Sequence, residues 1–192
     1  MKKLLIFSFT LLLLTACVKT VPTQDTATYD SATEAYSSFL RSYEPAPPEE
    51  EGEQAAVCSL IYLDDDDIPE LAVADGEEPW NPVKLYWYNA DTQQVEEIGA
   101  FSMYGKMFYI ERTGYLLPMY YLPAMYGEVL RYHSGECDPY ESWSMDEESV
   151  PVVNGEAVVV EQYSAVADRW MEEDWGEVFE EGNTWRIEEF PY

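Results

Sequence analysis

Residues 58–73 read Cys58-Ser59-Leu60-Ile61-Tyr62-Leu63-Asp64-Asp65-Asp66-Asp67-Ile68-Pro69-Glu70-Leu71-Ala72-Val73. Two apolar runs flank four consecutive aspartates. Each run is too short for an ordinary helix, and Pro69 prevents one helix from passing through both. The segment therefore reads as strand, acidic turn, strand. Outward from it the same short apolar or alternating runs recur. Strands are expected at Val57–Leu63, Glu70–Ala74, Val83–Tyr88, Gln94–Ile98, Lys106–Glu111, Tyr115–Tyr120, Glu128–His133 and Ser149–Val153. In the third, Val83, Leu85 and Trp87 fall on one face and Lys84, Tyr86 and Tyr88 on the other. Turns are marked at Asn89-Ala90-Asp91, Arg112-Thr113-Gly114 and Asn154-Gly155, the last a strong hairpin signal. Consecutive strands joined by tight turns form a sequential meander most economically.

Helical spacing appears at both ends of this β region. Over Tyr29–Tyr43, Ala32, Ala35, Tyr36, Phe39, Leu40 and Tyr43 line one stripe, and Ser31 with Glu34 has the capping-box form. Pro45, Pro47 and Pro48, among several glutamates, end that helix in an exposed loop. Over residues 161–173, Tyr163, Val166, Ala167 and Trp170 repeat at steps of three and four, before an acidic loop and a strand-like piece at Thr184–Phe190. The expected fold is α+β: an antiparallel β-meander sheet flanked by an N-terminal and a C-terminal helix, in one globular domain over residues 29–192.

Ahead of that domain, Lys2 and Lys3 precede an apolar run, Leu4–Leu14, of eleven residues. Such a run is too short to cross a bilayer of about 30 Å and suits the apolar region of a signal peptide. It ends in Leu14-Thr15-Ala16-Cys17, which resembles the bacterial lipoprotein signal. That resemblance implies cleavage of residues 1–16 and acylation of Cys17 with chains such as palmitate. It further implies a cell-membrane lipoprotein on the extracytoplasmic face. Residues 17–28, Thr-rich and without hydrophobic period, read as the tether.

Formal charge is −28, from 38 Asp+Glu against 10 Lys+Arg, and loss of Lys2 and Lys3 takes the side-chain charge to −30. With 47% hydrophobic and 15% aromatic residues the chain is not a disordered acidic tail. Its field repels nucleic acid and anionic headgroups, so nucleic acid is excluded as a partner and the domain stands off the membrane that anchors it.

The acidic turn invites an ion. Segment 58–73 resembles the strand-loop-strand element D-x-D-G-D-G-x-x-E-L of FG-GAP and VCBS repeats. It is also similar to a shorter form in lipid-anchored proteins of Gram-positive bacteria. Matched on Ile68-Pro69-Glu70-Leu71, the resemblance implies Asp64, Asp66 and Glu70 as calcium ligands. Tyr62 stands at the first ligand position and Asp67 where the repeat has glycine, which lowers the carboxylate count and removes the turn residue. The other reading of these residues is a solvated turn.

With Cys17 acylated, Cys58 and Cys137 are the remaining thiols, either paired in a disulfide or separate and inert. His133, the single histidine, rules out paired-histidine metal sites, and no G-x-S-x-G elbow occurs. Aromatic residues are dense: Tyr86, Trp87, Tyr88, Tyr115, Tyr120, Tyr121, Tyr126, Tyr140, Trp143, Trp170, Trp175 and Trp185. They fill a core, or form a surface that stacks on a carbohydrate or anchors a protein ligand. The expected function is a non-catalytic binding or interaction module. The alternatives are an extracytoplasmic hydrolase using a carboxylate pair and a structural envelope protein.

Overall fold

A computed structural model describes residues 26–45, 55–76, 81–103, 105–120, 126–145 and 149–191. The signal peptide, Cys17, the tether up to residue 25 and Tyr121 lie outside the described residues.

Helix α1 spans Thr26–Ser42, three residues into the stretch expected as tether. Strands β1 (Val57–Ile61), β2 (Glu70–Ala74), β3 (Val83–Asn89) and β4 (Gln94–Phe101) follow one another as an antiparallel meander. A second meander runs through β5 (Met107–Ile110), β6 (Tyr115–Pro118), β7 (Gly127–His133), β8 (Glu136–Met145), β9 (Pro151–Val153) and β10 (Glu156–Ala157). Helix α2 (Val160–Met171) comes next, then β11 (Gly176–Glu177) beside β5 and β12 (Thr184–Arg186) beside β1. The sheets have the orders β12-β1-β2-β3-β4 and β10-β9-β8-β7-β6-β5-β11. The class is α+β, but the single meander flanked by two helices is replaced by two sheets.

The break between the meanders has a local cause. Ser102, just past β4, adopts φ 70° and is almost fully buried. Its hydroxyl accepts the Met119 N–H at 2.7 Å and donates to the Lys106 carbonyl, pinning the end of β4 to the start of β5 and the exit of β6. Gly105, at φ 61°, lies so close to the first sheet that a Cβ would stand 2.5 Å from the Gly76 carbonyl oxygen. Left-handed backbone at both positions turns the chain out of the first sheet, and β5 begins a new one.

Three apolar clusters order the elements into layers. Ile61, Leu63, Ala72, Val83 and Leu85 of the first sheet meet Met107, Leu116, Leu130 and Tyr132 of the second. On the far side of the first sheet, Ala32, Tyr36 and Leu40 of α1 cover Cys58, Leu60, Leu71, Val73, Tyr86 and Tyr88. On the far side of the second, Tyr163 and Trp170 of α2 pack on Val129 and Trp143. The order is α1, sheet, sheet, α2. Strands sandwiched in this way bury both faces, which is why β2 reads as a near-continuous apolar run. The alternation expected over 83–88 is observed, with Val83 and Leu85 toward the second sheet and Tyr86 and Tyr88 toward α1.

The Tyr36 hydroxyl, inside the core, donates to the Pro69 carbonyl at 2.9 Å and fixes α1 to the β1–β2 connection. The β7–β8 turn has Ser134 at φ 50° and Gly135 at φ 83°, as a two-residue hairpin requires. Gly135 rests on the Trp87 ring, so a Cβ there would lie 2.3 Å from Trp87 Cε2. Asn154 and Gly155 make the expected turn between β9 and β10.

Candidate functional site

The acidic connection between β1 and β2 is closed by its own groups. Asp64 Oδ1 accepts the Asp66 N–H at 3.1 Å, and Asp66 Oδ1 accepts the Ile68 N–H at 2.7 Å, so two aspartates stabilise the turn through side-chain-to-backbone bonds. Asp67 pairs with Arg112 at 2.6 Å, and that guanidinium lies over the Tyr62 ring, 4.8 Å from its centroid. The backbone joins in: Arg112 N–H donates to the Tyr62 carbonyl at 2.8 Å and Gly114 N–H to the Leu63 carbonyl at 2.6 Å. The loop is thus clasped to the β5–β6 turn of the other sheet.

Glu70 faces the space between the sheets and is only 3% exposed. Its Oε2 accepts the Leu63 N–H at 2.9 Å, and it is hydrogen-bonded to the Tyr132 hydroxyl on β7. Burial pushes the Glu70 carboxyl from 4.5 up to about 8, with the Asp64 and Asp66 charges adding to the rise and the two hydrogen bonds opposing it. Asp66 is likewise raised, to about 6, by burial and then by Asp64 and Asp67, against the Ile68 N–H. The donor set does not fit calcium, which takes six to eight oxygens. Tyr62 offers no carboxylate, Asp67 is held by Arg112, and Glu70 is committed inside the protein. Among the described residues, the trio of ligand-type atoms lying within 4.8 Å of one another is His133, Glu136 and Asp138, not Asp64, Asp66 and Glu70. That trio sits exposed at the β7–β8 hairpin, where His133 Nε2 is 3.0 Å from Asp138 Oδ2.

Cys58 and Cys137 are both free thiols. Cys58 belongs to the cluster under α1 and Cys137 packs against the core between the sheets, so the first sheet separates them.

Several of the aromatic residues are core, including Tyr86, Tyr88 and Trp143, the last packed on Gly127 of β7. A different arrangement occurs where α2 ends above the outer face of the second sheet. Tyr115 on β6, Tyr140 on β8 and Trp170 on α2 enclose a cleft of about 290 Å³ with Thr113, Arg169 and Glu173, floored by Ile110. The Tyr115 and Tyr140 ring centroids are 5.1 Å apart, and those of Tyr115 and Trp170 also 5.1 Å. Tyr140 and Trp170 meet edge to face at 6.1 Å and 87°. Glu141 holds this wall, accepting the Trp170 indole N–H at 2.6 Å and pairing with Arg169. Arg131 on β7 lies over both tyrosines, 5.3 Å from the Tyr115 centroid and 5.8 Å from that of Tyr140. Tyr140 remains 47% exposed. The expectation singled out these rings but not Arg131, Arg169, Glu141 or Glu173. Arg169 and Glu173, four apart within the helical spacing expected over 161–173, carried the available signal, although α2 itself ends at Met171.

A larger groove of about 530 Å³ runs between α1 and the chain's end, lined by Leu40, Arg41, Pro45, Ile187 and Phe190 among others. Its lining includes Pro45 and Ala55, and residues 46–54 lie outside the described residues. Comparison of the chain with protein-family models, curated proteins and solved structures returned no match.

Proposed function

We propose that this protein is a non-catalytic binding module held on the extracytoplasmic face of the cell membrane by acyl chains on Cys17, and that it takes its ligand in the cleft of Tyr115, Tyr140 and Trp170. The observation that carries the reading is an open aromatic cleft on whose lining, among the described residues, Glu173 is the single carboxylate. A glycoside hydrolase of the usual kind needs two carboxylates flanking the bond to be cleaved. Glu141, beside the cleft, is bound to Arg169 and Trp170. The carboxyls with raised pKa, Glu70 and Asp66, belong to the interior and to the clasped loop, apart from the cleft lining. Amphipathic rings with an exposed face suit recognition, since they offer large contact area at low entropic cost.

Two measurements test the proposal. Cys17→Ser should move the protein from the membrane to the soluble fraction and abolish acylation; undiminished membrane retention sinks the anchor. Purified protein should release no reducing sugar from polysaccharides, whereas release abolished by Glu173→Gln would establish the hydrolase instead.

A further inference from the structure

We infer that the cleft at Tyr115, Tyr140 and Trp170 binds an uncharged sugar ring of a surface glycan, an inference that rests on the cleft being the binding site. Its volume of about 290 Å³ is at the lower end of small-ligand sites, ~300–1,000 Å³, and suits about one pyranose ring. A pyranose presents a C–H face and a rim of hydroxyls. The cleft offers the complement of both. The electron-rich faces of aromatic rings attract the partly positive C–H hydrogens, and these rings are locked in place by edge-to-face contacts and by the Glu141 bond to the Trp170 indole. Arg131 lies over both tyrosines, and Tyr140 still leaves about half of its surface exposed for the ligand to stack on. Arg169 supplies guanidinium donors beyond the one used on Glu141, and Glu173, two residues past the end of α2, supplies acceptor oxygens. Donor and acceptor side by side suit neighbouring hydroxyls, each of which both gives and takes a hydrogen bond.

Charge selects against the alternatives. The chain carries −28, so an anionic glycan is repelled at long range. A cationic peptide is favoured by that field but meets two guanidiniums, Arg131 and Arg169, stacked on or beside the rings it would need. An uncharged ligand meets neither penalty.

The test is saturation-transfer NMR on the acylated full-length protein in phosphocholine micelles, which carry no sugar headgroup. The probes are cellotriose, chitotriose, trigalacturonate and tetralysine. The expected result is transfer to ring C–H protons of at least one of the two neutral trisaccharides. That signal should weaken about tenfold, the equivalent of about 1.4 kcal/mol, in Tyr140→Ala and persist in Tyr140→Phe, with unchanged circular dichroism in both. Neutral-sugar binding indifferent to Tyr140→Ala overturns the inference. Binding of trigalacturonate or tetralysine alone, lost in Tyr140→Ala, overturns the sugar assignment and leaves the cleft as a binding site. Silence from all four probes overturns the inference and removes the support for the cleft.

Discussion

Replacing Glu70 by Gln should change how stability depends on pH more than it changes stability itself. The carboxyl lies between the sheets, 3% exposed, with Leu63 N–H and the Tyr132 hydroxyl as partners. Burial raises its pKa from 4.5 in the unfolded chain to about 8 in the folded one. Between those values the folded state holds a proton that the unfolded state has released. Stability from this group is therefore greatest below pH 4.5, falls as pH rises, and levels off above pH 8. At about 1.36 kcal/mol per pKa unit the full span is about 5 kcal/mol if the surrounding core does not relax to admit water. A Gln side chain keeps the shape and an acceptor for Leu63 N–H but does not titrate. Urea unfolding at pH 5, 7 and 9 measures the effect, and the difference between the two proteins cancels the general repulsion among the many other carboxylates. Relative to its own value at pH 5, Glu70→Gln should retain several kcal/mol at pH 9 that the parent loses. Tyr132→Phe removes a hydrogen bond that favours the charged form, and should push the falling limb to higher pH. Parallel curves for parent and Glu70→Gln from pH 5 to 9 would refute the reasoning.

Four further outcomes are expected. Val159, the N-cap of α2, is exposed and provides no side-chain acceptor, so Val159→Ser should stabilise the protein by about 0.5–1 kcal/mol in thermal melts; an unchanged or lower Tm counts against it. Gly135→Ala should destabilise by about 2–4 kcal/mol in the same assay, because φ 83° is unfavourable with a Cβ and the new methyl collides with Trp87. Millimolar calcium should give no heat in titration calorimetry and no change in Tm against EDTA, given how Asp64, Asp66 and Glu70 are occupied; a Tm rise abolished by Asp64→Asn would restore the ion. Burial pushes the Cys58 and Cys137 thiols up to about 12, so an aromatic disulfide reagent at pH 8 should label both only after unfolding, and prompt labelling of the native protein would contradict their placement.

What the sequence made legible follows from the range of the interactions involved. Turn chemistry is local, so Asn154-Gly155 and residues 112–114 appear where expected, and the apolar strands from β1 to β7 lie within a few residues of their anticipated bounds. Strand β8 was not anticipated. Its first residues, Glu136-Cys137-Asp138-Pro139, look like a loop because acids and proline are poor strand formers. The ladder tolerates them at an exposed face and at a bulge, where the register shifts opposite Val129 and Leu130. The division into two sheets was equally hidden. It depends on Ser102 reaching Met119 and Lys106, and a serine between strands carries no sign of such contacts. Spacing alone likewise places Asp64, Asp66 and Glu70 together, since the strand period says nothing about a hydroxyl on β7 that draws Glu70 inward. In the cleft, the rings are legible in the sequence but Arg131 beside them is not, because β6, β7 and β8 bring it to Tyr115 and Tyr140 only through the ladder.

Three of the few cations share one arrangement. Lys84 lies over Tyr43 and pairs with Asp75; Arg112 lies over Tyr62 and pairs with Asp67; Arg169 lies over Trp170 and pairs with Glu141. In each case one cation contacts both a ring and an acid. These pairs are partly exposed, so each falls in the range of a surface bridge, about 0–1 kcal/mol, to which the ring contact adds. Arg112 is the clearest case, because one guanidinium offsets a charge in a run of four aspartates and joins two sheets at the same time. Arg131 departs from the pattern. It lies over Tyr115 and Tyr140, yet its register partner Asp138 turns to His133, and no ion pair holds it among the described residues. Its guanidinium, over the half-buried Tyr115 and the exposed Tyr140, makes the cleft locally less negative. The surface best shaped for a ligand is therefore also the one where the surrounding acidity has been counteracted.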